Sequence, residues 1–429
     1  MACLSNLPIQ RWPKLVWLVT LTLLVTALGA CGGGGGGGSS APTPSTFISN
    51  QPNAVPLTVD NGPASFTGYN VNRLFTSVTI CESGSTIHCQ TIDHVLVDTG
   101  STGLRLLSAA LDPTLNLSPV TVAGGQPLLS CAQFVDGSYA LGPVVTADIT
   151  LGPQTASNLP IQIVGTLAYD NLKPSCTTGY SAIKTVNDLG ANGILGVGLY
   201  ATDCGSFCTA ISASDYYYTC VPGTGAGTCS DAAGATGTTA TLAQQLTNPV
   251  SRFSADNNGV VIDLPAVVGS RATTITGQML FGVGTQANNA VPTGATLLRT
   301  TAQGTINTVL GTTLMSNSFI DSGSNGLFFG INTLPLCSNG FYCPASDQTF
   351  ANTSMTGTNG VTKAVPFVAG KLTNPSVFTL GYSVFPALTG SMGNNTSFDW
   401  GLPFFYGRRV FFGIEGRSTQ LGNGPLYAF

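Results

Sequence analysis

A ten-residue pattern occurs twice in this 429-residue chain. Val95-Leu96-Val97-Asp98-Thr99-Gly100-Ser101-Thr102-Gly103-Leu104 returns as Ser318-Phe319-Ile320-Asp321-Ser322-Gly323-Ser324-Asn325-Gly326-Leu327. Each copy is an apolar run ending in Asp, followed by a hydroxyl residue, Gly and Ser, and then Gly-Leu one residue later. A separation of 321 − 98 = 223 residues is too long for a local repeat and points to two related halves, each supplying one carboxylate. With only 18 acidic residues in the chain, an Asp set directly on an apolar strand twice over constrains the fold more than any other feature.

The N-terminus reads as an export signal over residues 1–30. Arg11 and Lys14 precede an apolar run from Leu15 to Leu28, which is short for a membrane span. The run closes with Leu28-Gly29-Ala30-Cys31, similar to a bacterial lipobox, so Cys31 is the expected lipidation point and new N-terminus. Gly32 to Gly38, Ser39, Ser40 and a Pro/Thr/Ser stretch make residues 31–55 a flexible tether. A location in the bacterial cell envelope follows, lipid-anchored in the outer membrane on its periplasmic or surface face. Cysteine usage agrees with export. Of 12 cysteines, Cys3 and Cys31 fall in the signal and at the lipid site. The other ten fall as Cys81/Cys89, Cys131/Cys176, the cluster Cys204, Cys208, Cys220 and Cys229, and Cys337/Cys343. Disulfides in an oxidising compartment account for them, with the pairing inside the cluster left open. A metal site is disfavoured there because the only histidines, His88 and His94, lie elsewhere. Neither histidine has a nucleophile-elbow sequence to serve, and both read as rim residues.

Charged residues make up 7% of the chain and the net charge is −4, which excludes nucleic-acid binding by a basic surface. The 54 glycines and 25 prolines, with abundant Thr, Ser and Val, point to strands joined by tight turns. Helical periodicity is scarce, Ala240 to Leu246 being the best short candidate. Val144 to Leu151 alternates as a half-buried strand does.

Each Asp is expected where its strand runs into a turn at Gly100 or Gly323. Thr99, Ser101, Ser322 and Ser324 supply hydroxyls to orient the carboxyls. Two carboxyls brought together cannot both ionise easily, so the pair keeps one proton; one acid can then take a proton from water while the other donates to a carbonyl oxygen. Asp-Thr-Gly-Ser and Asp-Ser-Gly-Ser after apolar strands resemble the two motifs of pepsin-like aspartic peptidases. Asn192-Gly193-Ile194-Leu195-Gly196-Val197-Gly198-Leu199 is similar to the segment that underlies the first Asp in that family, and Phe398-Asp399-Trp400-Gly401-Leu402 to its counterpart under the second. Phe134-Val135-Asp136-Gly137-Ser138 falls where the family has its flap, and Gly277 to Gly284 where the first lobe ends.

The resemblance implies an all-β fold of two pseudo-symmetric, barrel-like lobes, a first over 56–287 and a second over 288–429, with an active-site cleft between them. It also implies a monomeric endopeptidase without metal or organic cofactor, with Asp98 and Asp321 as catalytic residues, active at acidic pH on peptide or protein substrates. Phe134, Asp136, Gly137 and Ser138 would close over the substrate. Two positions depart from the family: Phe134 stands for the flap Tyr, and Arg105 for a Trp that the Tyr hydrogen-bonds. A Cys-rich stretch, Ala201 to Ala240, reads as an insertion whose three tyrosines, Tyr216 to Tyr218, cap a disulfide loop. No basic propeptide segment is expected between tether and first lobe. The competing reading is a catalytically inactive surface lipoprotein that binds peptide or glycan in the cleft. An ion pair between Arg105 and an Asp of the pair would favour it.

Overall fold

The long strand Ser138–Leu151 shows how this sequence makes sheet: from Val145 onward, buried Val, Ala, Ile and Leu alternate with half-exposed Thr and Asp. Successive side chains of a strand point to opposite faces, so this spacing buries one face and wets the other. The computed structural model describes residues 51–429, apart from 170–171, 213–214, 221–228, 230–233, 373–377 and 379–380. The expected signal, Cys31 and the tether as far as residue 50 lie outside the described residues; the end of the expected tether is corrected, because Ala54 and Val55 already belong to the strand Ala54–Val59. Within them the protein is all-β, with two short α-helices, Val186–Leu189 and Ser206–Ala210.

The strands fall into two main sheets, of 17 and seven strands. The larger holds the first Asp on Cys89–Asp98, and the smaller holds the second at the end of Thr313–Ile320. Strands from both sides of residue 287 also share a platform in the larger sheet. Ala54–Val59 pairs with Ile275–Phe281, which pairs with Gly259–Leu264. Gly259–Leu264 in turn pairs with Arg408–Gly413, and that strand with Leu426–Ala428.

Both halves build the same local frame. In the first, Gly193–Val197 runs parallel to Cys89–Asp98, with Gly196 beside Asp98, and antiparallel to Thr102–Leu107. In the second, Phe398–Trp400 runs parallel to Thr313–Ile320 and antiparallel to Leu327–Phe329. Each Asp is thus held where two strands diverge over a third, and the two frames supply the pseudo-symmetry.

Under the second Asp the core is aromatic. Trp400 stacks on Phe398 at 4.1 Å between ring centres, is fully buried, and donates from Nε1 to Thr308 Oγ1 at 2.9 Å. Burying an apolar side chain of this size is worth roughly 1.5–3 kcal/mol, and the indole N–H needs the partner it finds.

Five disulfides close: Cys81–Cys89, Cys131–Cys176, Cys204–Cys208, Cys220–Cys229 and Cys337–Cys343. The cluster therefore pairs in sequence order. Two further expectations are corrected. Ala240 to Leu246 makes a turn and no helix. Gln244 turns its side-chain oxygen back onto Thr241, Gln245 donates to Gly205 and Ala240 carbonyls, and the Leu246 N–H goes to the Tyr217 hydroxyl at 2.8 Å. Local side-chain bonds and one distant partner outcompete the helical ladder. Tyr217 and Tyr218 are also built into sheet rather than set on a loop. Tyr217–Cys220 is a strand paired with Leu128–Gln133, and Tyr217 and Tyr218 are buried in it. The Cys-rich stretch thereby extends the flap's own sheet.

Candidate active site

The two Asp motifs meet. Gly100 N donates to Asp98 Oδ1 at 2.8 Å and to Asp321 Oδ1 at 3.1 Å, while Gly323 N donates to Asp321 Oδ1 at 2.7 Å. Only glycine permits this approach. A Cβ on Gly100 would lie 2.7 Å from Asp321 Cγ, and one on Gly323 would lie 2.6 Å from Asp98 Oδ1. Ser101 Oγ donates to Asp98 Oδ2, and Ser324 Oγ donates to Asp321 Oδ2 at 2.9 Å.

Beneath the carboxyls the hydroxyl residues clasp one half to the other. Ser322 N donates to Thr99 Oγ1 at 2.9 Å, and Thr99 N donates to Ser322 Oγ at 3.2 Å. Ser322 Oγ also donates to the Val97 carbonyl at 2.7 Å. Buried bonds of this kind contribute about 1 kcal/mol each, and a donor left without its acceptor costs more. Thr99→Ala and Ser322→Ala are each expected to destabilise the fold by about 1–2 kcal/mol and to couple in a double-mutant cycle. Urea unfolding of the four proteins checks this; strictly additive losses would contradict the clasp.

Both carboxyls are nearly buried, Asp98 at 7% and Asp321 at 8% exposure. Burial pushes Asp321 well above the usual carboxylate range, and the charge of Asp98 beside it, with the charge of Asp399, pushes further. The Gly323 N–H opposes this only in part. The pair therefore holds a proton that a solvated Asp would have lost.

A cavity of about 500 Å³ opens over the pair, lined among others by Arg73, Phe134, Asp136, Tyr216 and Asp399. The sequence-expected flap is the turn between Leu128–Gln133 and Ser138–Leu151, which pair antiparallel. Phe134 N donates to the Ser138 carbonyl at 2.9 Å and Gly137 sits at φ 82°, where glycine is favoured. Asp136 Oδ1 takes the Ser138 N–H and hydroxyl, so the carboxylate shapes the turn. Phe134 is half-buried and packs with its ring toward the apolar group that includes Phe75, Leu96 and Ile194.

A family profile described as "Protein of unknown function (DUF3443)" matches residues 49–429. The chain belongs to the DUF3443 family. No curated protein matches it in sequence. Among solved structures it is similar to an aspartic proteinase from Irpex lacteus, with 14% identity and a TM-score of 0.46 over 87% of this chain and 96% of that one.

Three features of this DUF3443 site were not read from the sequence. Arg105 is buried and pairs with Asp203, Nη2 to Oδ2 at 3.7 Å, while its Nη1 donates to the Thr102 carbonyl at 2.9 Å. The Tyr217 hydroxyl donates to Asp203 Oδ1 at 2.6 Å. Burial raises Asp203 to about 6, although Arg105 and Tyr217 both pull it down. Arg105 thus finds its partner in the Cys-rich stretch, and Asp98 and Asp321 have Gly, Ser and each other.

Arg73 is the second. Its Nη1 lies 3.5 Å from the Gly323 carbonyl. Burial lowers its pKa, and the charges of Asp136, Asp321 and Asp98 push it back up. One guanidinium therefore faces both the flap tip and the Asp pair. Its sequence signal was available: a lone Arg opening an apolar strand, in a chain with 14 basic residues. The third is Asp399, a buried acid in the apolar strand beneath Asp321.

His88 pairs with Glu82 and His94 with Asp60, and neither lines the cavity. Asn72, at φ 54°, joins the halves away from the carboxyls. Its amide donates to the Asn325 and Phe385 carbonyls, and its oxygen accepts from Phe385 N and the Tyr406 hydroxyl, all at 2.8 Å.

Proposed function

We propose that the chain is an aspartic endopeptidase that hydrolyses peptide bonds in an extended substrate. The observation that carries this is the shared geometry of Asp98 and Asp321: the Gly100 N–H donates to both carboxyls, and a serine hydroxyl donates to each. A water held between the two acids would lose its proton to the ionised one. The protonated one would donate to the substrate carbonyl oxygen, leaving a tetrahedral diol, and proton return to the amine nitrogen would break the C–N bond. Arg73 and the Phe134–Ser138 turn border the space where the peptide would lie, and the edge of the flap hairpin would pair with it as an added strand.

An ion pair of Arg105 with an Asp of the pair would have favoured the competing binder reading; Arg105 is engaged with Asp203 instead. In this proposal the protein works as a monomer in the cell envelope, held to the outer membrane by a lipid on Cys31, and takes peptide or protein as its partner.

Digestion of a mixed peptide library from pH 3 to 8, with the cleavage sites read by mass spectrometry, tests the reaction. Cleavage is expected in the acidic part of the range. Absence of cleavage throughout, or cleavage strongest at pH 8, would end this reading. The anchor is tested separately, by labelling with a radioactive fatty acid in wild type and Cys31→Ala.

A further inference from the structure

Asp399 lies on Phe398–Trp400, opposite Phe319 of the strand that carries Asp321 and opposite Phe328 of the strand after it. The matching place in the first half is Ile194, opposite Leu96 and Arg105. The two frames therefore differ where one has an aliphatic side chain and the other an acid. Asp399 is 1% exposed, lines the cavity, and neither of its oxygens has a hydrogen-bond partner of good geometry. Buried polar groups in folded proteins are almost always satisfied, so two orphan oxygens beside a reactive pair call for a physical account.

We propose that Asp399 belongs with Asp98 and Asp321 to one proton-sharing set of carboxyls, joined to Asp321 through the Ser324 hydroxyl. This rests on the peptidase reading for its consequence in catalysis, though not for the proton arrangement itself. Ser324 spends its one hydrogen on Asp321 Oδ2 at 2.9 Å, which leaves its oxygen lone pairs free to accept. A protonated Asp399 is the donor that fills that position, giving the chain Asp399 O–H to Ser324 O–H to Asp321. An ionised Asp399 would instead compete with Asp321 for the Ser324 hydrogen.

The surroundings favour the protonated form. Burial raises Asp399 well above the usual range and the Asp98 charge adds to it; a Ser324 hydroxyl turned onto Asp399 instead of Asp321 would oppose this. The charged or titratable groups that face it are Asp98, Asp321 and, from the C-terminal strand, the Tyr427 phenol. Arg73 acts on the Asp pair from the flap side. Among the described residues the three carboxyls do not converge as metal ligands would. Asp399 is thus a positioning residue: it keeps Ser324 turned toward Asp321, and its charge, once formed, makes Asp321 hold its proton more tightly.

The test is a titration of protein labelled with ¹³C at the aspartate carboxyls, in wild type and Asp399→Asn, beside the pH profile of kcat/KM. In wild type, the Asp321 and Asp399 signals are both expected to titrate above the range of a solvated carboxyl. In Asp399→Asn, the Asp321 signal and the alkaline limb of activity should move together toward acid, by about one pH unit. An Asp399 signal that titrates as a solvated carboxyl does overturns the proposal. So does an Asp321 titration or an alkaline limb unchanged by the substitution. If Asp399→Asn does not fold, Ser324→Ala replaces it: the Asp399 proton then loses its acceptor and its signal should shift to lower pH, and an unmoved signal breaks the link. A wild-type protein that cleaves nothing ends the peptidase reading alone, and the carboxyl signals still decide on Asp399.

Discussion

Asp98→Asn and Asp321→Asn are each expected to lower kcat by about a thousandfold or more, with KM and fold nearly unchanged. The amide keeps the shape of the carboxyl, and its oxygen can still accept the Gly100 or Gly323 N–H that now holds the acid. It cannot take a proton from water, nor lend one to a carbonyl. Positioned acid–base groups contribute typically ~10²–10⁴ in rate, and members of one unit fail together. The double variant should therefore be scarcely slower than either single one. Steady-state kinetics on one good substrate from the library would measure this. Either variant keeping more than about a tenth of the wild-type rate would place the chemistry elsewhere.

The second large effect is on stability against pH. Burial raises Asp321, Asp399, Asp203 and Glu415, and the bond to Asp60 raises His94. Each binds its proton more tightly folded than unfolded. The stability this contributes is complete below the unfolded pKa and is lost as pH rises through the folded value. For Asp203 that window runs from 3.8 to about 6, a change of roughly 3 kcal/mol at 1.36 kcal/mol per unit. Asp60 works the other way, since His94 and Gly62 outweigh its burial and lower its pKa, as do Glu82 and Asp112, whose hydrogen bonds lower theirs. The sum favours acid, so the urea midpoint should rise from pH 7 to pH 4.

The Arg105–Asp203 pair separates this effect from general acid tolerance. Asp203→Leu should cost about 3–5 kcal/mol at pH 7, where it strands a buried guanidinium without its counter-charge, and part of that at pH 4, where the guanidinium still loses its acceptor. Arg105→Leu leaves an acid that can neutralise itself, so its cost should be small at pH 4 and grow toward neutrality. Equal losses for the two variants at pH 4 would contradict the assignment.

Much of this site could be read from the chain because its chemistry is local. Asp98-Thr99-Gly100-Ser101 and Asp321-Ser322-Gly323-Ser324 each carry their own turn, donors and acid, and repetition at 223 residues implied that they face each other. Ser138–Leu151 could be read because alternation reports burial directly. Ala240 to Leu246 could not, because its amide and glutamine partners are Tyr217 and Gly205, fixed by other parts of the chain.

The sequence by itself thus determined the duplicated acid-bearing strands, the strand-rich composition and an even set of cysteines, since each is a property of residue type and spacing. The tertiary structure alone decided that Arg105 meets Asp203, 98 residues away, and that Arg73 reaches the Asp pair from the flap side. It also buried Asp399 against the cavity over the Asp pair rather than leaving it in solvent. The physical reason is common to all three. A charged side chain in a strand reads the same whether it faces water or core, and only the packing of the other elements sets which face is dry and which charge lies across it.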